Sequence, residues 1–360
     1  MLQKTVKEID RELRNFARDS EFIKNSSKAA PFLADSLRDL ITRKGKRIRP
    51  LLFICSYLGY TDSNEMDMKV LLRSSLSMEI LHVFLLIHDD IIDRSSFRRG
   101  KPTIHRIFNK KLGLEENDRT GPDLAIVAGD ILYTSAINCL LSMNELPERK
   151  EKALKLFLSA ASNTGTGEFL DILNDKKNIE EILPEDILAT YEMKTADYTF
   201  SSPLLIGASL AGTDENESKR LSSYGRKTGI AFQLLDDLLD VFGDPAVTGK
   251  PAFNDIRSGK RTLLASGTLR ALTGNSQKDF ITLFAKKDKT EQDCVRIKDL
   301  IRSSGAGKDT RDLAFEMLEE AEIDLIKLKM RPEQKDTVAS LNEKIRKGLE
   351  NIISPPHTER

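Results

Sequence analysis

Asp89, Asp90 and Asp93 spell DDxxD in "HVFLLIHDDIID", and Asp236, Asp237 and Asp240 spell it again 147 residues on in "FQLLDDLLDVFGD". The first and last aspartates of each copy are four apart, so on a helix their carboxylates share one face about 6 Å from each other. Such a pair repels itself, and behind an uncharged run such as Ile80–Ile87 it is costly unless a cation occupies it. Oxygen-only ligation of this kind suits Mg²⁺, which binds through a few carboxylates and completes its shell with water and phosphate. One copy alone reads as readily as a solvated acidic helix end. The repetition behind two apolar runs is the signal.

Basic residues supply the second half of the chemistry. "RKGKRIRP" (43–50) offers Lys46 and Arg49, "RRGK" (98–101) offers Arg98, Arg99 and Lys101, and Lys194, Lys250 and Lys260 come later. Taken alone, 43–49 reads equally well as a nuclear-localisation run. Beside the aspartates it reads as an anion site, with Arg to grip a phosphate bidentately and Lys to act as a point charge. The combined implication is a metal ion that itself holds an anion.

Composition limits the alternatives. The chain has 360 residues, enough for one large core or two ordinary domains. Lys plus Arg and Asp plus Glu are 56 each, which argues against general nucleic-acid binding, so any anion binding is local. Charged residues at 31%, aromatics at 6% and no Trp favour helices over sandwiches or barrels. Cys55, Cys139 and Cys294 are far apart and odd in number, as in a reduced, cytoplasmic protein. The first thirty residues mix acids and bases at helical spacing, and no stretch reaches about 18 uninterrupted apolar residues. The expectation is a soluble, unprocessed protein without a transmembrane segment.

The elements that must position these groups are helical. Periods near 3.6 run over about 3–22, 31–43, 50–59, 65–93, 124–145, 149–173, 185–211 and 215–242, followed by four shorter helices to 352. Asp62 with Glu65, and Asp214 with Glu217, have capping-box spacing, and Pro50 suits a first helical turn. Helices over 65–93 and 185–211 would be about 40 Å long, suited to a bundle with a deep interior. Segment 76–88 is apolar on nearly all faces, as a helix lining a cavity would be. Without a long linker or repeat, 1–360 reads as one helical domain whose residues after about 285 form peripheral helices.

"GKRIRP", "HVFLLIHDDIID", "RRGKPTIH", "AGDILYTSA", "MKTADYTF", "GIAFQLLDDLLD" and "GKPAFNDIRSGKRT" resemble, in order, the successive motifs of the trans-isoprenyl diphosphate synthases, over about residues 40–265. The resemblance implies an all-α, isoprenoid-synthase-type bundle of long helices around a deep central cavity. It implies a prenyltransferase in which an allylic diphosphate ionises, isopentenyl diphosphate attacks the cation and a proton leaves. Three Mg²⁺ ions would bridge the diphosphate, held by Asp89 and Asp93 on one side and by Asp236, assisted by Asp240, on the other. Asp90 and Asp237 would orient them. Arg98, Lys194, Lys250 and Lys260 would hold the allylic diphosphate, and Lys46, Arg49, His82 and Arg99 the isopentenyl diphosphate. A local helix break at Lys194 and Thr195 would aim backbone and hydroxyl oxygens at the cation, Gln233 would add its amide oxygen, and departing diphosphate would take the proton.

Phe84 lies five residues before Asp89, about 7.5 Å lower on the helix axis, where a ring would floor the cavity with Leu85 beside it. In the resembling family this arrangement suggests a twenty-carbon product, geranylgeranyl diphosphate, ahead of farnesyl or longer products. Homodimers are the family's habit, and an apolar face over 124–140 would serve as the contact. Three features depart from the family pattern: Lys44 and Gly45 replace a glycine pair, Glu168 replaces Gln in "GEFLD", and 110–122 reads as an insertion. A terpene cyclase needs neither the second basic site nor the repeated motif, and a non-catalytic regulatory subunit would not need both motifs intact.

Overall fold

Helices carry almost the whole chain, as the scarcity of alternating runs predicts; the computed structural model describes residues 2–61, 66–98, 100–244 and 252–352. Packing divides them into two compact units, one of Met1–Phe157 with Pro203–Thr213, the other of Leu158–Ser202 with Asp214–Arg360.

In the first unit, α1 (Leu2–Asp19), α2 (Glu21–Ala29) and α3 (Pro31–Thr42) precede α4 (Ile48–Tyr60) and α5 (Met68–Ile92). Pro50 sits in the first turn of α4, where its missing N–H has no intrahelical partner to lose. Helix α5 starts three residues later than the period predicts. Asp67 caps it by accepting from the Lys69 amide at 2.8 Å, and the proposed Asp62–Glu65 box lies outside the described residues. A two-stranded hairpin follows, β1 (Phe97–Arg98) with β2 (Lys101–Pro102), then α6 (Ile104–Leu112) and α7 (Thr120–Leu141). The apparent insertion at 110–122 therefore contains the end of α6, a loop and the start of α7. Gly113 closes α6 with φ 69°, and the Asn109 amide donates to Glu116 O and Asp118 O, which fastens the loop back to α6.

Helix α7 packs along α5 on small residues, Ala125, Ala128, Gly129 and Ala136, which let the two backbones approach. A Cβ on Gly129 would lie 2.6 Å from His88 Nε2 and 3.3 Å from Phe84 Cδ2, so a larger residue there would displace both rings. By length and hydropathy α5 and α7 would each cross a membrane, yet 67% and 44% of their most apolar windows are buried inside the protein. The outer side of α7 leaves Ile126 and Val127 exposed.

Helix α8 (Pro147–Lys176) runs from the first unit into the second. The helical period over 185–211 is three pieces: α9 (Pro184–Tyr191), a π-helical segment Glu192–Ser201 that contains Lys194 and Thr195, where the resemblance implies a break, and α10 (Ser202–Ala211). Helix α11 (Glu215–Phe242) packs against the π segment on two glycines. Cβ atoms on Gly225 and Gly229 would lie 2.6 Å from Ser201 Cα and 2.5 Å from Ala196 Cα. Asp214 caps α11 through the Glu217 amide at 2.8 Å, but the reciprocal half of the expected box is absent. Buried Glu217 instead accepts from the Lys329 amide at 2.5 Å. Among the described residues six helices follow rather than four: α12 (Asn254–Ser258), α13 (Leu263–Ala271), α14 (Gly274–Phe284), α15 (Glu291–Ser304), α16 (Ala306–Lys327) and α17 (Pro332–Ile352). Helix α16 lies along α11 with Ala314, Leu318 and Ala321 fully buried.

Candidate active site

Both aspartate motifs fall at helix C-termini, where the backbone carbonyls already carry partial negative charge, so each carboxylate cluster opposes its own helix dipole. The first unit meets this with a cation. Arg94, at φ 54°, turns the chain after α5 and the hairpin brings Arg98 back to the aspartates. Arg98 Nη2 lies 2.6 Å from Asp89 Oδ2, and its Nε lies 2.5 Å from Asp90 Oδ1. Asp90 is buried, which pushes its carboxyl up to about 6 despite Arg98 beside it. Asp93 ends the helix, its amide on Asp89 O at 2.9 Å, and stands exposed.

Of the basic run at 43–49, Arg47 turns inward. It holds Glu79 at 2.5 Å and Asp10 at 2.8 Å from a left-handed backbone (φ 53°), pinning the start of α4 to α5 one turn before His82. A buried ion pair of this kind costs about 3–5 kcal/mol when one partner is removed. Lys46 is exposed and Arg49 half-buried on either side of it, and His82 is half-buried on α5. Arg99 lies outside the described residues. Asp39 of α3 holds Lys101 at 2.6 Å and Arg43 at 2.8 Å, tying the hairpin to α3. Phe84 packs between His88 and Tyr133 of α7, with ring centroids 4.5 and 5.2 Å away, and Tyr133 stacks in turn on Phe157 at 6.3 Å. Leu85, next to Phe84, is half-buried.

In the second unit neutral donors bond the middle aspartate, with the charge of Lys260 acting on it from nearby. Tyr191 donates its hydroxyl hydrogen to Asp237 Oδ2, and that hydroxyl oxygen accepts from the Leu263 amide at 3.2 Å. Gln233 Nε2 donates to Asp237 Oδ1 at 2.8 Å while its Oε1 accepts from Thr195 Oγ1 at 2.9 Å. Burial pushes Asp237 up to about 8, with Asp255 adding to the effect, and Tyr191 well above its ordinary value. Asp240 accepts from the Asn254 and Asp255 amides at 3.1 and 3.0 Å, and burial with Asp255 nearby raises it to about 6. Asp236 is half-buried. Lys194 Nζ is held by Glu168 at 2.7 Å and Asp171 at 2.5 Å. Lys260 is half-buried just beyond α12, its amide on Asp255 O at 2.9 Å, and Lys250 lies outside the described residues.

Sequence reasoning missed Tyr191, Arg47 and Tyr133. Tyr191 stands three residues before Lys194, close to one helical face with it, and that spacing was the available signal. Each set by itself has donors that fit a divalent metal: all are oxygens, and Asp90 in the first and Asp237 and Asp240 in the second are held above their ordinary pKa by burial that a cation would offset. Among the described residues no three acidic, His or Cys side chains converge closely enough to hold a metal alone.

An all-helical chain with a doubled aspartate motif and basic partners defines an isoprenoid synthase. The chain belongs to the polyprenyl synthetase family, whose model matches residues 30–301, and it is a trans-prenyltransferase. It is 31% identical over 314 residues to a geranylgeranyl diphosphate synthase of Saccharolobus solfataricus, covering 84% of this chain and 87% of that one. It is 34% identical over 272 residues to a geranylfarnesyl diphosphate synthase of Aeropyrum pernix, covering 74% and 78%. Among solved structures it resembles a geranylgeranyl pyrophosphate synthase from Corynebacterium glutamicum, complexed with isoprenyl diphosphate and magnesium. That likeness has a TM-score of 0.84 and 29% identity over 94% of this chain and 98% of that one.

Proposed function

We propose that the protein is a Mg²⁺-dependent prenyl diphosphate synthase that adds isopentenyl diphosphate to dimethylallyl, geranyl and farnesyl diphosphates, with geranylgeranyl diphosphate as main product. The observation that carries the reading is the pair of aspartate sets, each with its middle carboxyl buried and raised in pKa, the condition a bound divalent cation would relieve. Mg²⁺, as three ions held by Asp89, Asp93, Asp236 and Asp240, would neutralise the charge that gathers on the leaving diphosphate.

The chain's own residues do the rest. Arg98, Lys194 and Lys260, with Lys250, hold the allylic diphosphate. Lys46, Arg49 and His82, with Arg99, hold isopentenyl diphosphate, so two anions are sorted into two basic sites. The oxygens of Thr195, Gln233 and the widened π segment face the allylic cation, and departing diphosphate takes the proton. Placement of Phe84 between His88 and Tyr133 supports its role as a floor beneath the growing chain, with Leu85 leaving room for twenty carbons. The exposed apolar face of α7 suits a second copy of the chain in a cytoplasmic homodimer.

The test is incubation with isopentenyl diphosphate, each allylic starter and Mg²⁺, followed by chromatography of the dephosphorylated products. Elongation ending at twenty carbons is expected, and no elongation from any starter would overturn the reading. Phe84→Ala lengthens the products; an unchanged profile would place the floor elsewhere.

A further inference from the structure

Helix α8 and the π segment meet at backbone distance. A Cβ on Gly167 would lie 2.6 Å from the Lys194 amide nitrogen and 3.0 Å from its Cα, so the approach requires glycine. That closeness brings Glu168 and Asp171 to Lys194, whose Nζ lies 2.7 and 2.5 Å from their carboxylate oxygens. The side chains are 22%, 19% and 13% exposed for Lys194, Glu168 and Asp171, so these are not the screened surface pairs that contribute little. One ammonium therefore serves two carboxylates. Lys194, Glu168 and Asp171 together carry a net negative charge, whereas a neutral Gln at 168 would make the trio sum to zero.

We propose that Glu168 is a positioning residue that restrains Lys194 and makes anion capture there conditional on a divalent cation, so that the protein selects a metal-complexed diphosphate over the free one. The inference rests on reading Lys194 as a diphosphate ligand. To reach a diphosphate, Lys194 must share its charge with a third anion or leave its two carboxylates. Either way Glu168 then faces a group of its own sign at short range, and a few ångströms from a multivalent anion one extra charge weighs heavily in a half-buried setting. A divalent cation arriving with the diphosphate removes that penalty. With Gln at the same position, Asp171 alone would hold the lysine and free diphosphate would meet less opposition.

Glu168→Gln preserves size and shape, which makes it the variant of choice. The experiment is calorimetric titration of inorganic pyrophosphate, once in EDTA and once with Mg²⁺, into wild type, Glu168→Gln, Lys194→Met and the double variant. Glu168→Gln is expected to tighten metal-free pyrophosphate binding about tenfold while changing the Mg²⁺-loaded affinity less than about threefold. Adding Lys194→Met removes the gain. Metal-free affinity unchanged by Glu168→Gln, or a gain that survives Lys194→Met, overturns the inference alone. Mg²⁺-dependent binding unchanged in Lys194→Met overturns the reading of that lysine as a diphosphate ligand, and the inference with it.

Discussion

The two DDxxD motifs are spelled alike and end helices alike, yet the two units compensate them by different physics. In the first, the buried middle aspartate is held by a guanidinium, Arg98, which bonds Asp89 as well. In the second, Asp237 is hydrogen-bonded by a phenol and an amide, with the Lys260 charge near but not bonded to it, and Asp240 by the amides that open α12. A cation can exchange one anion for another, so on the proposed function Arg98 would pass from the first set to an incoming diphosphate. Neutral dipoles fixed by a buried network hold their carboxylate in place throughout. The lesson is that a motif's letters set its charge while its long-range partners set how that charge is used.

Removing a motif's leading carboxylate erases the comparison and gives the largest effect. Asp89→Ala and Asp236→Ala are each expected to lower kcat by about 10³-fold, measured as incorporation of labelled isopentenyl diphosphate. Arg98→Leu comes next. It should raise the KM for the allylic diphosphate about 30-fold and weaken the salt dependence of that KM, because one charge-assisted contact is gone. Tyr191→Phe tests the other side. Losing the phenol should destabilise the protein by about 1–2 kcal/mol in denaturant melts and lower kcat/KM about tenfold with its salt dependence unchanged. Equal salt responses in the two variants would erase the distinction.

The last prediction concerns stability against pH. In the unliganded protein Asp90 and Asp240 titrate near 6 and Asp237 near 8, all above the usual value of about 4 for an aspartate in an unfolded chain. The folded state therefore binds more protons across that interval. The stabilising contribution is full below about pH 4 and is lost as pH rises through these folded values, with Asp237 alone responsible for the last part. Denaturant melts of wild type and Asp237→Asn check this: the variant should lack the decline between about pH 6 and pH 8.

Much of this architecture was legible because it is written locally. The aspartate pairs, the runs before them, the Asp214 cap and Pro50 all depend on neighbours within a turn or two. The break in the helix over 185–211 was legible at Lys194 and Thr195 only through the resemblance; its ten-residue π-helical extent was not, since the widening coincides with the close approach of Gly225 and Gly229 from α11. Tyr191 and Arg47 were missed for a similar reason: their partners Asp237 and Glu79 are 46 and 32 residues away. Glu217 had the right spacing for a capping box, but burial beside the Lys329 amide drew its carboxylate elsewhere.

The central claim is that both aspartate sets are needed to bind a diphosphate together with magnesium. Calorimetric titration of inorganic pyrophosphate in Mg²⁺ into wild type, Asp89→Ala and Asp236→Ala tests it most directly. Each single substitution is predicted to abolish the Mg²⁺-dependent binding seen in wild type; either variant binding as tightly as wild type would contradict the account.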